Sequence, residues 1–326
     1  MAPESETLLA VMPRPRTACL IDGRVMVQGV RFTDALPSHE RHSQIRDKTL
    51  AGGEMSTSGL VRAHAAGASL VALPVFLKRG FSHPHVVTRA DAPLTSPSDL
   101  VGRRVGVNEW DSSIMVWLRG LFKDAYDIDQ SAVRWVLAGD PPTNAATVDF
   151  EALPHQAAED PRWTGHERID GVRRSLRSSE RRLLALLVSG SLDAVLSTTI
   201  PEGPGLRCIF GDRLAEAEAD WHRSTGIYPI NHTLVVQAEV LADRPELADD
   251  LIHAFQTARR EAGDPTPTLA AETDIIGADP FTYTYGDGER RVLQRFIEYH
   301  VAQGLIEQAF DADELFTVRR TQATTA

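Results

Sequence analysis

The sequence predicts an α/β protein with a ligand cleft between two lobes, on three observations. Short β-branched runs alternate with helix-like segments, the pattern of parallel sheets faced by helices. Small polar loops follow several of these runs, at the strand ends where open α/β sheets hold ligands. The 326 residues leave room for two units of about 100 to 200 residues each. The expected division gives residues 1–107 and 229–326 to one lobe and 108–228 to the other, with both crossings at the cleft.

In chain order, residues 17–21 and 25–32 read as the first two strands, separated by the turn Asp22-Gly23-Arg24. Residues 38–50 read as a polar helix. Gly52-Gly53-Glu54-Met55-Ser56-Thr57-Ser58-Gly59 reads as a loop of small residues that hands its backbone to a helix over 60–66. Strands follow at 70–76 and 85–89. The stretch 101–120 organises the rest. Arg104 to Val107 is a β-branched run bounded by glycines, and Ile114, Trp117, Leu118 and Leu121 recur at the spacing of one helical face. Between them Asp111, Ser112 and Ser113 are N-cap residue types, so the N–H groups of the new helix should open toward an anion. Beyond, strands at 133–137, 192–196 and 233–237 alternate with helices at 172–188 and 215–223. Residues 226–232 cross back, and the tail is helical at 245–261 and 288–303, with a short last piece near 310–316.

A composition of 42% hydrophobic and 24% charged residues is that of a globular chain, which argues against disorder and membrane spans. The net charge of −11 argues against a nucleic-acid surface, and the arginines at 173, 174, 177, 181 and 182 read as one solvated helix face. Two cysteines, Cys19 and Cys208, supply neither a disulfide framework nor metal-ligand spacing. Residues 1–16 join acidic Glu4 and Glu6 to a short apolar patch before Pro13, unlike a secretory signal, so a cytoplasmic location is expected.

Several stretches together carry a family resemblance. They are Asp22-Gly23-Arg24-Val25; Glu54-Met55-Ser56; Ala72-Leu73-Pro74-Val75-Phe76 with Arg79 and Phe81; Leu100-Val101-Gly102-Arg103-Arg104-Val105-Gly106-Val107; Trp117-Leu118-Arg119-Gly120; and Thr225-Gly226-Ile227-Tyr228-Pro229-Ile230-Asn231-His232. In this order, over residues 16–260, they resemble the 4,5-dihydroxyphthalate decarboxylase family, most weakly between Pro141 and Arg182. The resemblance implies the fold of the type II periplasmic binding proteins used as a cytoplasmic enzyme. It also implies loss of carbon dioxide from an aromatic dicarboxylate bearing ring hydroxyls. One departure bears on substrate: after Leu192-Asp193-Ala194-Val195-Leu196 the family tends to carry an arginine, whereas here the loop reads Ser197-Thr198-Thr199-Ile200.

Such a reaction needs an acid at one ring carbon. His232 is the candidate, since histidine exchanges protons near neutral pH and this one lies on a crossing segment. Glu54 and Glu109 are the candidate bases for a ring hydroxyl. A carboxylate that stays on the ring would be held at two helix starts, by Ser56 and Thr57 and by Asp111, Ser112 and Ser113, with Arg79 as its cation. Asn108, Thr198 and Tyr228 complete the expected substrate-binding set. His83 and His85 could face one side of an extended segment, but no third ligand is spaced for a metal. No nucleotide fingerprint or Schiff-base lysine is present, so no cofactor is implied. The expected partner is a small-molecule ring carboxylate, with no nucleic acid and no membrane, and a homo-oligomer stays open. Two other functions fit the same architecture: a non-catalytic solute-binding protein, and an enzyme resembling those of the menaquinone branch.

Overall fold

Gly52 and Gly53 fix the middle of the first sheet. In the computed structural model, which describes residues 6–139, 148–153, 163–167, 173–263 and 266–317, they open a strand instead of the expected loop. A Cβ on Gly52 would lie 2.2 Å from the Val235 carbonyl oxygen, and one on Gly53, at φ +146°, 2.2 Å from that of Ala10. Without a side chain, three backbones can approach this closely.

The first sheet begins with β1 (Thr7–Ala10), β2 (Val30–Thr33), β3 (Gly52–Ser56) and β4 (Leu70–Arg79), linked through α1 (Pro15–Ile21), α2 (Ser38–Arg46) and α3 (Thr57–Ala65). Residues 17–21, expected as a strand, lie in α1. Pro15 takes the first turn, where its missing N–H costs nothing, and the Thr17 hydroxyl accepts the Arg14 N–H at 2.9 Å. The chain then changes sheets earlier than expected. Both β5 (Val86–Arg89) and β6 (Arg104–Val107) belong to the second sheet, so the crossing falls between Arg79 and Val86, not after Val107.

The second half continues through α4 (Ser113–Tyr126), β7 (Arg134–Leu137), β8 (Phe150–Ala152), β9 (Thr164–His166), β10 (Arg173–Arg174) and α5 (Ser178–Val188). It ends with β11 (Ala194–Leu196), β12 (Ile200–Glu202), β13 (Leu206–Cys208) and α6 (Leu214–Thr225). Its main sheet runs β13-β5-β11-β6-β7-β8, with β11, β6, β7 and β8 mutually parallel and β5 antiparallel to β11. A small antiparallel sheet, β10-β9-β12, lies beside it. The helix expected from residue 172 begins at Ser178, because Arg173–Arg174 pair with β9.

The return strand β14 (Ile230–Gln237) inserts antiparallel between β3 and β4, completing the order β2-β1-β3-β14-β4. Leu234, Val235 and Val236 on it are fully buried. Helices α7 (Ala238–Asp243), α8 (Leu247–Glu261), α9 (Pro267–Ile276) and α10 (Asp287–Ala302) close the fold, and α8 packs on α1. The organising helix α4 joins the halves: Trp117 stacks on Phe296 of α10 at 4.4 Å, and Gly120 faces the Tyr299 ring, which a Cβ there would meet at 2.3 Å. Among the described residues no helix is long and apolar enough to cross a membrane.

Candidate active site

His232 and Glu54 meet because β14 and β3 are neighbours, with His232 opposite Ser56 and Leu234 opposite Glu54. Nδ1 of His232 bonds Glu54 Oε1, while the other Glu54 oxygen accepts the Met12 N–H at 3.0 Å. Arg14, the residue before α1, turns its side chain back over β3 and takes Glu54 in a fork, 2.7 Å to Oε2 and 2.8 Å to Oε1. Both partners of this ion pair are fully buried. Burial alone would push the Glu54 carboxyl up, but the Arg14 charge and the His232 bond outweigh it and hold the group well below the usual carboxylate range.

An ionised carboxylate can only accept, so Nδ1 of His232 must donate and Nε2 carries the lone pair. Burial pushes the His232 imidazole down to about 4, against the opposing pull of Glu54. The resting ring is therefore neutral near pH 7. Its side chain keeps 17% exposure, and among the described residues Nε2 has no protein partner. The site thus presents one basic nitrogen, oriented from behind by a carboxylate that is itself clamped by a guanidinium.

A second histidine, which the sequence reading missed, stands beside it. His42 of α2 lies edge-on to His232 with ring centres 6.2 Å apart, and its Nε2 accepts the Ser56 N–H at 3.2 Å. Burial, with His232 next, pushes His42 down to about 3. The signal available in the sequence was only Arg41-His42 on a polar helix. Arg41 is buried there and donates to the Glu54 carbonyl oxygen at 2.8 Å.

The expected anion cradle at α3 is occupied from within. The Ser56 hydroxyl caps the Gly59 N–H at 3.1 Å, Ser58 N–H donates to Ser113 Oγ at 3.0 Å, and Thr57 shares a 3.2 Å hydroxyl contact with Thr233. Ser113 Oγ in turn donates to the Asn231 carbonyl oxygen at 2.9 Å, which brings the start of α4 to the same end of β14 as His232. Asp111 pairs with Arg62 at 2.5 Å. Asn108 Nδ2 donates to Thr198 Oγ1 at 3.2 Å. Among the described residues, Asn108 Oδ1 and Ser112 Oγ are buried without a hydrogen-bond partner. These two atoms mark the β6–α4 loop as a place where a ligand's hydroxyls would find unmet hydrogen-bonding groups.

Four expected roles need correction. Glu54, with every oxygen engaged and its carboxyl held ionised, supports His232 and is not placed to take a proton from substrate. Glu109 is paired with Arg177 on the exposed rim. Arg79 is buried away from the site, donating to the Pro280 carbonyl at 3.3 Å, the Tyr228 carbonyl at 3.1 Å and the Glu289 carboxylate at 3.2 Å. Tyr228 is equally internal, its hydroxyl donating to Glu272. His83 and His85 are both buried in a single helical turn, with His85 Nδ1 bonded to the Ser197 carbonyl at 2.8 Å. Among the described residues no three histidine, cysteine, aspartate or glutamate side chains gather as a metal-binding group. A groove of about 850 Å³ between α4 and α6, lined by Tyr126 and Trp221 among others, carries none of the expected site residues.

The sheets and their strand order give the two-lobe α/β fold of the type II periplasmic binding proteins. Solved structures agree: the sulfonate-binding proteins SsuA of Xanthomonas axonopodis pv. citri, bound to MOPS, and of Escherichia coli align with TM-scores of 0.52 and 0.53. They cover 97% and 94% of this chain and 99% and 96% of theirs, at 11% and 12% identity, a likeness of fold alone. The NMT1/THI5 like family pattern matches residues 49–153. In sequence the chain is similar to the 4,5-dihydroxyphthalate decarboxylase of Comamonas testosteroni, 28% identical over 94% of this chain and 95% of that one. A Pseudomonas putida protein of the same name is 29% identical over 66% of this chain and 81% of its own. The resemblance read from the sequence motifs is borne out, and the relatives that it reaches are decarboxylases by name.

Proposed function

We propose that this chain is a cofactor-independent decarboxylase of a hydroxylated, phthalate-like ring acid. The observation that carries the reading is the His232–Glu54–Arg14 arrangement, a buried hydrogen-bonded ion pair that orients the imidazole and leaves its other nitrogen open. The similarity of nearly the whole chain to a 4,5-dihydroxyphthalate decarboxylase supports it.

The chemistry follows from that arrangement. The resting imidazole is neutral, so it must be loaded before it can act as an acid. A bound dianionic ring acid places negative charge beside it, which raises its affinity for a proton from solvent. Nδ1–H stays with Glu54 while the new proton sits on Nε2. That proton passes to the ring carbon bearing the departing carboxylate, with electron release from a ring hydroxyl making the carbon basic. The carbon–carbon bond then breaks, its electron pair returns to the ring, carbon dioxide leaves and His232 is again neutral. One proton from solvent is consumed per turnover. Asn108 and Ser112 are the groups that would take the ring hydroxyls. A cytoplasmic location accords with such an activity.

The test is carbon dioxide release and product mass from purified, metal-stripped protein mixed with 4,5-dihydroxyphthalate and a panel of related hydroxylated ring acids. Release from any member is the expected result. Thermal stabilisation by the same acids without any release would instead support a solute-binding protein.

A further inference from the structure

We propose that Lys78, with Arg14 behind it, forms the subsite for the carboxylate that stays on the ring, and that this carboxylate takes the place that Glu167 holds against the two cations. The inference deepens the decarboxylase reading and rests on it for the identity of the ring acid.

Lys78 and His232 are register partners on β4 and β14. The Lys78 ammonium lies 3.2 Å from Glu167 Oε1, and Arg14 Nη2 lies 3.6 Å from the same oxygen. All three side chains are withdrawn from water, with exposures of 14% for Lys78, 2% for Glu167 and none for Arg14. Glu167 directly follows β9, whose sheet includes β12 from the second half. Its carboxylate therefore reaches from the second half of the molecule onto two cations of the first.

Three physical points turn this contact into a site. A carboxylate already rests there, so the pocket has the charge and size for one. Removing Glu167 alone would leave two largely buried cations without its charge, so what takes its place must itself be an anion of carboxylate size. Arg14 is committed to Glu54 by its two short bonds, which leaves Lys78 as the cation that follows an incoming anion. A ring with two adjacent carboxylates could then set one at Lys78 and the other near Nε2 of His232, and a ring with a single carboxylate could not do both.

The test uses calorimetric titration of the full chain with 3,4-dihydroxybenzoate, which keeps one carboxylate, and with catechol, which has none. K78M should weaken 3,4-dihydroxybenzoate at least about tenfold, the scale of a lost hydrogen bond to a charged group, and leave catechol unchanged. K78R should restore most of the affinity. E167Q, whose internal competitor has lost its charge, should tighten 3,4-dihydroxybenzoate and leave catechol as it was. Equal weakening of both probes by K78M, weaker benzoate binding by E167Q, or no binding of either probe to the unaltered protein overturns the proposal. These readouts need no turnover. The Lys78 and Glu167 pattern without carbon dioxide release would sink the decarboxylase reading while the carboxylate subsite stood.

Discussion

The Arg79 guanidinium lies 5.0 Å over the Tyr228 ring and donates to the Tyr228 carbonyl at 3.1 Å, so a residue ending β4 and one preceding β14 are held as a unit. Burial pushes this guanidinium below its ordinary range, against the Glu289 charge. Replacing Arg79 by methionine should therefore cost about 3 to 5 kcal/mol of stability by stranding the part-buried Glu289 and two carbonyls, with KM for the ring acid unchanged. Urea unfolding beside steady-state kinetics checks it. A large rise in KM at unaltered stability would return Arg79 to the substrate.

His232→Asn should lower kcat by about 10² to 10⁴, the range for a lost general acid, while a ring acid still binds within a few-fold. Asparagine keeps a donor toward Glu54, which limits the structural loss. Rate and calorimetric affinity, measured on the same preparation, separate the two effects.

Glu54→Gln should cost more than His232→Asn in stability. It leaves Arg14 buried beside a neutral amide, for which about 3 to 5 kcal/mol is the usual scale, although the Glu167 contact recovers part of it. The same change removes the carboxylate that supports a proton on His232, so turnover should fall as well. Full activity in a stable E54Q protein would remove Glu54 from the mechanism.

The acid side of the stability profile should be steep. Burial holds His232 at about 4, His42 at about 3 and His300 at about 3, all below the free value of about 6.5. Each is neutral in the folded protein at a pH where the unfolded chain binds a proton. Stability is therefore lost as pH falls from about 6.5 toward 4, and unfolding takes up protons. Glu54, depressed in the folded state, acts in the same direction at still lower pH. The urea midpoint should fall continuously from pH 7 to pH 5, and a flat profile across that interval would contradict the burial of these rings.

Much of the architecture was legible because alternation of short strands and helices is a local property. Residues 104–107 and 113–126 fell where the β-branched run and the helical face placed them. Several strands were not, among them two of the first sheet. Thr7–Ala10 has no period of its own and is a strand only because β2 and β3 flank it, and Gly52–Ser56 looks like a loop until the backbones beside it are known. The site divides in the same way. His232 stood out by residue type and by its place on a crossing segment. Arg14, His42, Lys78 and Glu167 did not, since an arginine before a proline, a histidine on a polar helix, a lysine just past the expected strand 70–76 and a glutamate in an aperiodic stretch carry no signal alone. Each acquires meaning from a partner far along the chain: Arg14 from Glu54, Glu167 from Lys78.

The column of bonds from Ser58 N–H through Ser113 Oγ to the Asn231 carbonyl ties the starts of two helices to one strand, at the edge where the chain crosses between sheets. Ser113 is the shared member: its hydroxyl accepts from the start of α3 and donates to the strand, so the end of β14 that carries His232 is fixed by the same oxygen that joins α3 to α4.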